Sequence, residues 1–130
     1  MKINDQNYVD EAERVILKLK ELKNRDGKQI PLVTTSKIRN LLAMSADIYN
    51  QVMNLTTDKL DEEICARIDY LRIRFLYEAG RDERVKDLVL EAKLLDTLKE
   101  INGSKKNYIT FNRYMEALVA FRKFYGGKDE

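Results

Sequence analysis

One proline and five glycines in 130 residues leave this chain almost nothing with which to break a helix. Between those few breaks the apolar residues recur at intervals of three and four, the period of a half-buried helix. That pairing of features predicts an all-α protein, a compact bundle of about five helices. The first is expected from about Asn7 to Lys23, with Val9, Ala12, Ile16, Leu19 and Leu22 on one face. A polar linker, N-R-D-G-K-Q-I-P, follows, where Gly27 can end a helix and Pro31 blocks its immediate restart. The second starts at T-T-S-K, where a threonine can cap free amides, and buries Ile38, Leu41, Leu42, Ser45, Ile48 and Val52. Thr57 is expected to cap the third, with carboxylates from D-K-L-D-E-E in its first turn, and that helix ends near Gly80. The fourth runs from about Asp82 to Ile101, with Val85, Leu88, Val89, Ala92, Leu95 and Leu98 inward. The fifth runs from near Tyr108 to about Phe124, with Phe111, Met115, Leu118 and Tyr125 as its core stripe. V-T-T, the one short β-branched cluster, falls where a helix cap is expected. A chain of this length suits a single domain, 1–130.

The sequence contains no histidine. Ser-His and Cys-His nucleophile pairs, an imidazole base and the Glu-x-x-His pairs of di-iron bundles are therefore excluded. One cysteine, Cys65, provides neither a disulfide framework nor, without histidine, a structural zinc site. A small apolar filler in a helix is the plain reading of that thiol. The acidic run Asp58 to Glu63 is explained by a helix start without invoking a metal. No catalytic residue, metal ligand or cofactor is expected. No apolar run is long enough to span a bilayer and the N-terminus lacks a signal-peptide core, so a cytoplasmic location is expected.

The charges are unevenly placed. The whole chain is only +2, and residues 1–33 carry seven positive and six negative charges. Residues 104–128 carry Lys105, Lys106, Arg113, Arg122, Lys123 and Lys128 against Glu116 alone, a local +5, with six of the eleven aromatic residues. The third helix shows a second pattern. At 100° per residue, Ile64, Ile68, Leu71 and Phe75 share its core face. Glu63, Arg67, Tyr70, Arg74, Tyr77 and Arg81 form a separate stripe with spacings of four, three, four, three and four. Guanidinium forks pair with phosphate oxygens and tyrosine rings stack on unpaired bases, so the stripe suits RNA or single-stranded nucleic acid. Its plain structural reading is a solvated rim, with Glu63–Arg67 and Arg74–Glu78 as intrahelical pairs. Lys37 and Arg39 add a third basic spot at the start of the second helix, where free amides favour an anion.

Three segments also fit one family. They are T-T-S-K-I-R-N-L-L at 34–42, L-R-I-R-F-L-Y-E-A-G-R-D-E-R-V-K-D at 71–87 and R-Y-M-E-A-L-V-A-F-R-K-F-Y-G-G-K-D at 113–129. In order and spacing the sequence resembles the small subunit of the type III-A CRISPR effector, the Csm complex, over about residues 32–129. The resemblance implies an all-helical, non-catalytic subunit of an antiviral ribonucleoprotein. It implies copies arranged head to tail beside the other subunits, contacting guide RNA and target RNA, with the nuclease activities elsewhere in the assembly. Carried over by position, Lys37, Arg39, Arg74, Arg81 and Arg113 are the leading RNA contacts. Charge placement adds Arg67, Arg122 and Lys123. Two other classes are compatible with the residues: a helical protein–protein adaptor that touches no nucleic acid, and an enzyme working through carboxylates.

Overall fold

The computed structural model describes residues 1–126, so Lys128 of the basic pole and the tail from Gly127 onward lie outside the described residues. Among the described residues the protein is all-α, with six helices rather than five: α1 Tyr8–Lys20, α2 Thr35–Met53, α3 Glu62–Arg81, α4 Glu83–Glu91, α5 Leu94–Glu100 and α6 Lys105–Tyr125. Among the described residues there is no strand, only isolated bridges between Lys23 and Gln29 and between Lys59 and Ser104.

The extra helix arises at Lys93, which adopts the left-handed conformation (φ 55°, ψ 43°) and splits the expected fourth helix in two. The break rotates the register, so Leu94 rather than Leu95 is fully buried. It also exposes the Ala92 carbonyl, which accepts a 3.0 Å bond from the Tyr114 hydroxyl on α6. A buried polar end is thereby satisfied from a distant helix.

Helix starts follow capping chemistry. The threonine expected to cap α2 is Thr34, which accepts from the Lys37 amide. The cap of α3 is Asp61, which accepts from the Ile64 amide at 2.9 Å, not Thr57. Thr57 lies in a turn and donates to the Lys59 carbonyl. The start moves because Leu60 is buried and its amide donates to the Gly103 carbonyl at 2.9 Å, which holds the segment before Asp61 in the connection. Ser104 caps α6, three residues earlier than the expected start, after Asn102 and Gly103 turn the chain with positive φ.

α6 is the hub. It packs chiefly against α1 and α2, while α3 lies on α4, α2 and α5. Tyr108, Phe111, Tyr114, Met115 and Leu118 are completely buried, and Phe111 meets Phe75 of α3 and Tyr108 at ring separations of 6.4 and 5.9 Å. At the α2–α6 contact, Tyr108 donates to the Ser45 carbonyl at 2.6 Å, and the Ser45 hydroxyl donates to Asn112 Oδ1 at 2.8 Å. The α3 core face is as expected: Ile64, Ile68, Leu71 and Phe75 are all buried. In α1 the inward residues are Ala12, Val15, Ile16 and Leu19, while Val9 is 46% exposed.

Candidate nucleic-acid interface

α2 and α3 run antiparallel, and two grooves follow the seam between them. The first, about 680 Å³, is lined from α2 by Thr35, Ser36, Lys37, Arg39 and Asn40, and from α3 by Glu78 and Arg81. The second, about 440 Å³, is lined from α2 by Met44, Asp47 and Ile48 and from α3 by Glu63, Ala66, Arg67, Tyr70, Leu71 and Arg74. Residues up to just over forty positions apart in sequence thus form one cationic strip, with Lys37, Arg39 and Arg81 at one end and Arg67 and Arg74 further along.

The positive potential is concentrated at the first groove. It has three cations against Glu78 in its lining and Asp82, which pairs with Lys37 at its mouth, whereas Arg67 and Arg74 share the second with Asp47 and Glu63. α2 has no acidic residue in its first turn, so the partial positive charge of its N-terminus is uncompensated within the helix. Arg39, Arg74 and Arg81 are exposed. Neither Glu63–Arg67 nor Arg74–Glu78 closes as an ion pair; the pairs among the described residues involve Arg14, Lys37 and Arg84. The Arg81 guanidinium lies 5.5 Å from the centre of the Tyr77 ring, a cation–π distance. Arg67 is half-buried and donates to the Gln51 side chain of α2, which fixes it across the seam.

Lys37 is held at the mouth of the first groove by Asp82, its Nζ 3.4 Å from the carboxylate. Asp82 also caps α4, accepting from the amides of Arg84 at 2.9 Å and Val85 at 3.2 Å. Burial pushes the Asp82 carboxyl up, but the two amides and Lys37 outweigh it and hold it below the usual aspartate range. A carboxyl with a depressed folded pKa contributes stability that is present above its unfolded value and lost as pH falls through the folded one. Asp82→Ala is therefore expected to cost about 1 kcal/mol at neutral pH. The gap to the wild type should close as pH falls below about 4. Thermal melts of both proteins across that range check this, and a gap independent of pH would show that Asp82 does not act through its charge.

The remaining site residues do not join the seam. Arg113 lines a separate groove of about 570 Å³ with Lys105, Lys106, Asp5 and Asp58, where two carboxylates offset its charge. Lys123 is exposed on α6 and lines neither seam groove. Arg122 is a correction: it is only 4% exposed, and its Nε donates to the Val33 carbonyl at 2.6 Å. It ties the end of α6 to the segment before α2 and does not reach the surface. Ser36 and Asn40 were missed as lining residues. They sit three before and one after Arg39, so helical spacing from the basic pair was the available signal. Burial, followed by the nearby carboxylates, pushes the Cys65 thiol up, so it stays protonated as a packing group does. Among the described residues no group of three or more His, Cys, Asp or Glu could hold a metal, and no helix is long and apolar enough to cross a membrane.

Fold and seam together define a class: a small all-α protein presenting a cationic, tyrosine-edged strip along one antiparallel helix pair. The family model described as Csm2 Type III-A matches residues 8–128. A Streptococcus thermophilus protein, CRISPR system Cms protein Csm2, is 44% identical over 98% of both chains. Proteins of the same name from Mycobacterium tuberculosis CDC 1551 and Enterococcus italicus are 36% identical over the full length of both chains, and 35% identical over 88% of this chain and 86% of theirs. The chain belongs to the Csm2 family of type III-A CRISPR systems. The match begins at Tyr8, so α1, which the sequence resemblance left out, is part of the family pattern.

Proposed function

We propose that this chain is the non-catalytic small subunit of a type III-A CRISPR ribonucleoprotein and that its α2–α3 seam binds RNA. The observation that carries the proposal is the meeting of Lys37, Arg39 and Arg81 in one groove, continuous with Arg74 and Arg67 along α3. A strip of guanidinium and ammonium groups pairs with successive phosphates, and an extended strip suits a polymer. Sequence is read by pairing between guide RNA and target RNA, so the subunit needs phosphate and ribose contacts and no hydrogen bonds to base edges. Lys106 and Arg113 then serve as a weaker second contact. Neighbours in the assembly are other effector subunits and further copies of the same chain, arranged head to tail. A core cluster that draws on all six helices supports one domain carrying this surface.

A protein-only adaptor is the second reading, favoured by Ile73 and Leu76, which are 56% and 51% exposed on α3. Titrating RNA into wild type and Arg39→Ala/Arg81→Ala separates the two. RNA binding requires affinity to fall at least about tenfold, at roughly 1.4 kcal/mol per tenfold, with assembly retained. Unchanged RNA affinity with failed assembly would establish the adaptor instead.

A further inference from the structure

The α3 stripe is a repeat: Arg67-x-x-Tyr70-x-x-x-Arg74-x-x-Tyr77-x-x-x-Arg81. Seven helical residues rise about 10.5 Å, so cations and rings alternate along the helix with that period. The two tyrosines stand apart from the other five. Tyr108 and Tyr114 are completely buried, and Tyr8, Tyr49 and Tyr125 pack against the core. Tyr70 and Tyr77 are 59% and 60% exposed, on the face of α3 turned away from Ile68 and Phe75. They contribute little to the core, yet each lies next to an arginine of the seam.

A ring of this kind has a π face to offer. Paired bases inside a duplex have both faces covered by neighbours stacked about 3.4 Å away along the strand. A tyrosine can therefore stack only on a base released from pairing, as single-strand and loop recognition requires. Arginines alone would suffice for a duplex backbone.

We propose that the ridge of α3 takes unpaired RNA, stacking one base on Tyr70 and another on Tyr77 while Arg67, Arg74 and Arg81 hold the phosphates between and beside them. This rests on the RNA-binding reading and specifies its ligand: nucleotides extruded from, or not yet part of, the guide–target duplex.

The test uses the full-length protein and two probes of identical sequence. One is a short single strand containing a fluorescent adenine analogue that is quenched by stacking. The other is the same strand annealed to its complement. Wild type should bind the single strand more tightly and quench it. Tyr70→Ala and Tyr77→Ala should each lower single-strand affinity about tenfold and remove quenching, with little change on the duplex. Tyr→Phe at either position should retain both signals, because the ring is kept. Equal losses on both probes, or wild-type behaviour of the alanine variants, overturns the proposal. Failed assembly with intact RNA binding also overturns it and gives the ridge to a protein partner. Arg74→Ala/Arg81→Ala separates the two levels. If it weakens both probes while the tyrosine variants do not, only the stacking inference falls. If it changes neither, the RNA reading falls as well.

Discussion

Phe111→Ala is expected to destabilise the fold by about 3–5 kcal/mol. Phe111 is completely buried, and its ring lies between Phe75 of α3 and Tyr108 of its own helix, whose hydroxyl is bonded to α2. Truncation removes apolar contact on every side and leaves a cavity that the surrounding aromatic rings cannot fill. For a chain of this length the melting temperature should fall by about 10–20 °C. Circular dichroism melts read this directly. A fall of a few degrees would show that α6 is not the hub of the core.

The next largest loss is expected at Arg122, a residue whose charge alone suggests the surface. Arg122→Ala removes a buried side chain and leaves the Val33 carbonyl without the Nε donor that lies 2.6 Å away. A buried acceptor deprived of a charged partner, added to lost packing of the side-chain stem, should cost about 2–4 kcal/mol. RNA affinity of the fraction that remains folded should be unchanged, because Arg122 does not reach the seam. Lys123→Ala, one residue on and exposed, should leave the melting temperature within a degree or two, since exposed charges are worth about 0–1 kcal/mol. Equal melting of the two variants would mean that Arg122 is a surface cation after all.

What was legible in the sequence was what a single helix decides by itself. The spacing of Ile64, Ile68, Leu71 and Phe75 sets the buried face of α3, and therefore sets where Tyr70, Arg74 and Tyr77 point. A threonine cap was readable from Pro31 and the T-T-S-K run, and the structure gives the role to Thr34 rather than Thr35. What was not legible depended on distant partners. Asp61 outcompetes Thr57 because Leu60 is anchored by Gly103, more than forty residues away. The break at Lys93 carries no glycine or asparagine to announce it, and it is supported by Tyr114 from another helix. Arg122 was partly legible: it follows Met115 by seven residues and Leu118 by four, which puts it on the core stripe, but its charge outweighed its position. For the site, Arg67, Arg74 and Arg81 were readable as one stripe. That Lys37 and Arg39 join Arg81, while Arg113 and Lys123 do not, depends on the antiparallel pairing of α2 and α3, which no local pattern encodes.

The most direct test of RNA binding by the seam is the salt dependence of affinity. Arg74→Ala/Arg81→Ala removes two exposed guanidiniums from the strip without touching the core. Each phosphate contact contributes about 0.7 to the slope of log affinity against log salt for single strands, so the double variant should bind with a slope smaller by about 1.4. The loss should be similar on unrelated RNA sequences, and the melting temperature should barely move. A folded variant whose affinity and salt slope match the wild type would contradict RNA binding by the α2–α3 seam.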